Sequence, residues 1–411
     1  MKRCIAALLL LLLMLNACAA GGAPSATTDS GSADEVTSSA DDTPKEETVE
    51  DYLRIKEENR RYLRLGAYMW YGYSLLVRGA YTNKLLDEYL EYYEPEWGYG
   101  YNEIEHMEYQ IDLASSYGLS FFAIEYWPAG SEYVYDIISV DYFLKAKNSQ
   151  KMDFCLLVAN HDKDRIYYDN WKTYCEDFVR YMCADNYLKL DGKPVLVFYL
   201  PDQLVIDLGG FTKTRECFDY LRDQMKAKGY PDILILGCDA PYGSRSGRID
   251  YNEENFSETA FKGRINSYER CGFDAFTGFN SRPLRNQDGG LEIEFTELLA
   301  NHENCWEAFS TYTDSRYAPN LINGWDDRNK YPELSILSCY NINKTGEAFT
   351  EHVLNAYAWI KDNPDNALGN LAFVYAWDES DEGSFFIPTK GEGYMMLDAL
   401  KAAMDTIKQN P

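Results

Sequence analysis

The chain has 411 residues, and its 66 acidic against 39 basic side chains give a formal net charge of −27 at pH 7. A surface this acidic is repelled by nucleic acid and by anionic lipid, which excludes both as surface partners. Beyond its first fifty residues the chain has no second linker and no internal repeat, so it reads as one body.

In chain order, Lys2 and Arg3 precede the apolar run "IAALLLLLLML". A basic start and an apolar run well short of the roughly 20 residues a membrane span needs are features of a secretory signal. The stretch "LNAC" that follows resembles the lipobox of bacterial lipoproteins, with Cys18 as the lipidated residue. The other reading is ordinary signal cleavage nearby. Residues 19–51 hold nine acids, one lysine and no aromatic residue, so they cannot bury enough apolar surface to offset chain entropy. The expected organisation is a signal peptide over 1–17, a disordered acidic tether over 18–51 and a globular domain over 52–411. The protein is then expected to be extracytoplasmic, lipid-anchored to the bacterial membrane or cell surface, with no other membrane contact. About −21 of the charge lies on the residues from Tyr52 onward.

Two of the ten cysteines fall in the signal, and the other eight are scattered through apolar stretches with no C-x-x-C spacing. Buried free thiols fit this pattern better than a disulfide set or a zinc site. His106, His161, His302 and His352 fall in no metal-ligand spacing, and no metal is expected.

Periodicity predicts short apolar strands at 65–71, 119–127, 153–159, 194–200, 233–238, 275–279, 321–325 and 370–377. Each is apolar throughout rather than alternating, as in parallel strands covered on both faces. Helical patterns fall between them at 103–117, 139–149, 169–184, 212–228, 254–270, 294–313 and 347–361, with a last one at 393–408. Eight strands each followed by a helix predict an α/β fold, a single (β/α)8 TIM barrel, with a doubly wound open sheet as the rival. The longest insertion, 72–102, follows strand one and contains a short helix near 83–92.

In such a barrel the loops at the C-terminal strand ends form the site. Those ends supply Trp70 and Tyr71, Glu125 and Trp127, Asn160 and His161, Tyr199, Asp239, Asn280, Trp325 and Asp326, and finally Trp377 and Asp378. Flat aromatic faces suit the C–H face of a sugar, and acids and amides suit its hydroxyls. Lysines and arginines are too few to hold a phosphate there. The stretch "AWDESDEG" at 376–383 adds Glu379 and Glu382 after the last strand. It has three readings: the acid pair of a glycoside-cleaving enzyme, a solvated acidic loop, or a Mg²⁺ or Ca²⁺ site built from Asp378, Glu379, Asp381 and Glu382.

The segment "FVYAWDESDEGSFFIPTKGEGYMMLDAL" resembles the C-terminal signature of the WbsX-like proteins related to glycoside hydrolase family 99. Ala376, Trp377, Glu379, Glu382, Gly383, Pro388, Gly393 and Leu397 match its pattern, while Asp378, Ser380 and Asp381 depart from it. "GAYMWYGY", "EPEWGYGYNEIEHMEYQIDLASSYGLSFFAIEYW", "KPVLVFYLPD" and "LINGWDDRN" resemble earlier segments of the family in order. The resemblance implies a (β/α)8 barrel acting on an α-linked glycan such as a mannan, without cofactor. Carried over by motif, Glu382 would be the general acid/base and Glu379 the base assisting the substrate's 2-hydroxyl, with net retention. An oligo- or polysaccharide substrate and a monomeric state are expected. The alternatives are a glycosyltransferase of surface polysaccharide synthesis, although no nucleotide-binding motif is evident, and a catalytically decayed glycan-binding lipoprotein.

Overall fold

The computed structural model describes residues 47–70, 87–98, 104–128, 136–161, 164–241, 243–244, 250–251, 256–283, 286, 289–326, 328 and 339–411. The eight apolar runs form eight parallel strands of one sheet. They are β1 (Arg64–Met69), β2 (Phe121–Tyr126), β3 (Asp153–Val158), β4 (Lys193–Phe198), β5 (Leu234–Cys238), β6 (Ala275–Thr277), β7 (Asn320–Ile322) and β8 (Leu371–Tyr375). Their order, β7-β8-β1-β2-β3-β4-β5-β6, returns the first strand to the side of the last, with Arg64 opposite Leu371. Between β6 and β7 the seam is made just ahead of β7. Phe276 N–H donates to Arg316 O at 2.9 Å, and Ala318 N–H donates to Phe276 O at 2.9 Å. The result is the expected (β/α)8 barrel, not an open sheet.

Strands β2 and β3 are buried along their whole length, so their continuous apolar character is what two-sided covering requires. Gly66 on β1 faces Phe121 on β2, and a Cβ there would meet the Phe121 ring at 2.3 Å. Only glycine lets these two strands pair with that ring between them.

The outer layer follows the helical patterns closely: α2 (Ile104–Ser116), α3 (Asp136–Lys145), α4 (Trp171–Met182), α5 (Phe211–Ala227), α6 (Glu258–Cys271), α7 (Phe295–Tyr312), α8 (Gly346–Asp362) and α9 (Met395–Gln409). Side-chain oxygens start α6 and α8, where Ser257 accepts from Ala260 N–H and Thr345 accepts from Ala348 N–H. All eight cysteines beyond the signal region are free thiols, and seven are buried. Burial pushes the Cys217 and Cys271 thiols up to about 12.

One further helix, α1 (Val49–Arg60), precedes the barrel and begins within the stretch read as tether. Thr48 and Asp51 form a reciprocal capping box at its start. Polar residues dock it: Lys56 Nζ reaches Asp153 Oδ1 at 3.0 Å, and Asn59 Nδ2 donates to Ser115 O at 2.7 Å. Ser120 Oγ in turn donates to Asn59 O at 3.0 Å. Asp153 opens β3 and Ser120 precedes β2, so α1 covers the N-terminal mouth of the barrel on that side.

The described part of the first insertion, 87–98, lies against the chain that follows β8. Glu96 N–H donates to Pro388 O, Lys390 N–H to Glu94 O and Gly391 N–H to Tyr92 O, at 2.8–2.9 Å. A Cβ on Gly391 would sit 2.3 Å from the Tyr92 ring, so a side chain there would break the contact.

Candidate active site

Strand β8 delivers the acidic motif. After Tyr375 the chain passes a cis peptide to Ala376 and is gripped by Asn323, just beyond β7. Asn323 Nδ2 donates to Ala376 O at 2.9 Å, and its Oδ1 accepts from Ala376 N–H at 3.2 Å and from Ser384 Oγ at 2.7 Å. Asp378–Glu379 then pairs antiparallel with Ser384–Phe385, and residues 380–382 make a tight helical turn.

Gly383 closes that turn at φ +69, a left-handed conformation that favours glycine. A Cβ there would lie 2.6 Å from Asp326 N, and one on Gly324 would lie 2.2 Å from Gly383 O. The two loops therefore touch backbone to backbone, with Asp326 N–H donating to Glu382 O at 2.7 Å. The glycine of the motif is explained by this approach.

The motif is not a solvated loop. Asp378, Ser380 and Asp381 are almost fully buried, and Glu379 is 8% exposed. Only Glu382 is half-buried. Among the described residues, no group of three or more His, Cys, Asp or Glu side chains is placed to hold a metal ion.

Tyr375, at the end of β8, anchors one of the acids. Its hydroxyl donates to Glu382 Oε2. The phenol is held well above its ordinary range, first by burial and then by the negative charges of Glu379, Glu382 and Glu125. Tyr199 is raised too, by burial and then by Glu382 and Glu125, with Arg282 opposing. Glu382 and Glu125 thus act on both phenols, Glu379 acts on Tyr375, and Glu382 is the one held by a hydrogen bond.

Aromatic rings line the same mouth in a connected row. Trp127 meets His161 at 4.9 Å, His161 meets Tyr199 at 5.2 Å, and Tyr199 meets Phe279 at 4.7 Å. Phe279 meets Tyr375 at 4.5 Å, and Trp325 lies 6.1 Å from Tyr375. The Arg282 guanidinium covers the Trp325 ring at 3.8 Å.

Of the residues expected at the site, Glu125, Trp127, His161, Tyr199, Trp325, Glu379 and Glu382 meet in this row or around its phenols. Trp70 is half-buried, and its backbone N–H donates to Asp378 Oδ1 at 2.8 Å. Asn280 is half-buried on the loop between Phe279 and Arg282. Tyr71 and Cys18 lie outside the described residues.

Five others do different work. Trp377 is fully buried, packs on Phe122 at 5.2 Å and donates its indole N–H to Gln110 Oε1 on α2 at 2.7 Å, so it faces the helix layer. Asn160 is fully buried and spends both ends of its amide on the Leu200 backbone, at 2.8 and 3.0 Å. Asp239 is buried in a two-pronged ion pair with Arg264 on α6, at 2.8 and 3.0 Å. Asp326 holds Arg328 in the same way, at 2.7 and 2.9 Å. Asp378 is buried and accepts from the Trp70 backbone N–H just past the end of β1. The Trp377 indole, the Asn160 amide, the Asp239 and Asp326 carboxylates and one oxygen of Asp378 are thus hydrogen-bonded within the protein, which makes these five scaffold contacts in this structure. Tyr375, Phe279 and Arg282, absent from the expected set, belong to the row of rings at the mouth, and Asn323, fully buried, holds the Ala376 backbone behind it.

A parallel barrel with acids and aromatics gathered where its strands end defines a (β/α)8-barrel protein that places its site on the βα loops. The profile of the family described as Glycosyltransferase WbsX matches residues 91–400, and the chain belongs to that family. Among solved structures, the GH99 endo-alpha-mannosidase from Bacteroides thetaiotaomicron is similar in fold, at a TM-score of 0.54 and 13% identity. The match covers 84% of this chain and 98% of that one, both in complex with bis-tris-propane and in a second structure. An exo-beta-1,4-mannosidase from an Opitutaceae bacterium aligns at a TM-score of 0.46 and 10% identity, over 85% of this chain and 60% of that one. No curated protein matches the chain significantly.

Proposed function

We propose that the protein is a glycan-active enzyme, a glycoside hydrolase that cleaves an α-linked glycan with retention of configuration. The observation behind this reading is the hydrogen bond from the buried Tyr375 hydroxyl to Glu382, beside a row of aromatic rings and with Glu379 on the same buried loop. Glu382, positioned by the Tyr375 hydroxyl, donates a proton to the departing glycosidic oxygen. Glu379 takes the proton from the substrate's 2-hydroxyl as that oxygen attacks the anomeric carbon and the glycosidic bond breaks. Water then opens the strained ring at the anomeric carbon, with Glu382 accepting its proton and Glu379 returning one to the 2-oxygen. The Trp127 and Tyr199 rings cover the apolar side of the sugars. The endo-alpha-mannosidase named among the similar structures makes an α-mannan the first substrate to try.

Replacing Glu382→Gln should lower glycan cleavage by about 10²–10⁴-fold, the usual worth of a positioned acid/base, with the circular dichroism spectrum unchanged. Full activity in that variant sinks the assignment. The family's description favours one competing reading, a glycosyltransferase. Product formation that requires an added nucleotide-sugar donor would establish it over hydrolysis.

The same proposal places the enzyme at the bacterial membrane or cell surface through lipid on Cys18. Cys18→Ala should move the protein from the membrane fraction to the soluble one. If it stays with the membrane, lipid on Cys18 is not the anchor.

A further inference from the structure

A cavity of about 220 Å³ opens at the N-terminal mouth of the barrel, the end opposite Glu379 and Glu382. Arg64 at the start of β1, Lys193 at the start of β4, Arg316 just ahead of β7, and Lys189 on the hairpin before β4 line it, with Asp191 as the one acid. Four cations gathered around one carboxylate are unusual in a chain of net charge −27. Elsewhere the structure pairs its buried cations. Lys56 holds Asp153, Arg222 holds Asp232 and Asp274, and Arg264 holds Asp239. Among the described residues, none of the four cavity cations forms an ion pair.

What partners they have are backbone carbonyls. Arg64 donates one guanidinium N–H to Lys189 O at 2.8 Å, while its Nε is buried without a hydrogen-bond partner. The Lys189 ammonium donates to Ala184 O at 2.9 Å and to Asp185 O and Tyr187 O at 3.2 Å. Burial holds both Arg64 and Lys189 below their ordinary ranges, and the negative charge of Asp153 offsets it only in part. Asp153 is the acid that acts most strongly on both, and Lys56 occupies it at 3.0 Å.

From this arrangement we infer a second binding site, for a multiply charged oxyanion: a phosphate or sulfate group, free or carried on a small ester. The guanidinium forks offer paired donors to adjacent oxygens, and the lysines add point charge. The volume lies below the roughly 300–1,000 Å³ of sites for drug-sized ligands, which limits the occupant to an ion or a short ester. Bound there, the anion ties together the starts of β1, β4 and β5 and the segment leading into β7. It therefore stabilises the barrel rather than taking part in catalysis.

Calorimetric titration of the full-length protein with inorganic phosphate, sulfate and glycerol phosphate, against chloride at matched ionic strength, tests the site. Saturable binding by the wild type that is at least tenfold weaker in Lys193→Gln/Arg316→Gln, and unchanged in Glu382→Gln, is the expected result. Arg316 is exposed and Lys193 half-buried, so that pair of changes spares the core, and an unaltered circular dichroism spectrum confirms the variant is folded. Tighter binding of glycerol phosphate assigns an esterified group, and equal or tighter binding of inorganic phosphate assigns the free ion. Non-saturable heats, or equal binding by the wild type and the double variant, overturn the proposal and leave a nonspecific ion effect only.

Discussion

Asp239 and Arg264 show how an acid at a strand end can belong to the scaffold instead of the substrate. The carboxylate is fully buried, and only the Arg264 side chain touches solvent, at 20% exposure. Asp239→Ala leaves a guanidinium facing an empty acceptor, and breaking such a pair costs about 3 kcal/mol. That corresponds to a fall in melting temperature of about 4 °C, with KM for the proposed glycan substrate unchanged. A raised KM without loss of stability would return Asp239 to the substrate site. Residue types at the strand ends were legible in the sequence, but their orientation was not. Side chains alternate faces along a strand, and past the last hydrogen-bonded residue that alternation lapses. Trp377, Asp378 and Glu379 are consecutive, yet one packs under α2, one accepts from the backbone just past β1 and one acts on the Tyr375 phenol. Asn323 was invisible for a different reason: its work is to hold Ala376, 53 residues away.

At the scale of elements, α7 and α8 meet through two buried histidines. His302 on α7 shares the Asn320 carbonyl with the Trp306 indole, at 2.9 and 3.0 Å, so its Nδ1 carries the proton in the neutral ring. His352 on α8 contacts Glu303 at 2.7 Å and stacks on Trp306. Burial lowers His302 to about 3 and lowers His352 despite the Glu303 carboxylate beside it. The unfolded chain binds these protons near pH 6.5 and the folded chain does not, so stability rises with pH across the interval. The contribution is full above about pH 6.5 and is lost as pH falls toward the folded value, a change on the order of a few kcal/mol for His302. Melting temperature measured between pH 7 and pH 5 should fall more steeply for the wild type than for His302→Gln. Equal slopes would show that this ring does not titrate on unfolding. Helix α1 marks the limit of pattern reading at this scale. Its sequence, "VEDYLRIKEENR", has little apolar stripe because Lys56 and Asn59 do the docking, and the capping box formed by Thr48 and Asp51 was the one local signal.

Across the whole molecule, the charge of −27 opposes compaction. Raising NaCl from about 0.1 M to about 1 M shortens the Debye length from about 10 Å to about 3 Å. The melting temperature should rise by a few degrees over that range, and a flat or falling trend would show that the acids are already neutralised by their neighbours. The barrel itself was legible because eight apolar runs separated by helical patterns leave few topologies. The closure was less so. It is completed ahead of β7 by backbone around Tyr317, in a stretch without the long apolar signature of the other strands. The cation cluster at the opposite mouth was also beyond sequence reading, since Arg64, Lys189, Lys193 and Arg316 come together only when the ring is shut.

The neighbouring positions of β1 and β8 also set a schedule for biogenesis. Arg64 waits for Leu371 to be made, and at ordinary synthesis rates of about 5–20 residues per second that delay is about 15–60 s. Throughout it β1 can pair on one side only, leaving its other edge open to any extended chain nearby. A nascent chain that stalls or is cut before residue 371 cannot close that edge. The C-terminal segment that brings the acidic motif is therefore also the piece whose arrival ends the protein's exposure to misassociation.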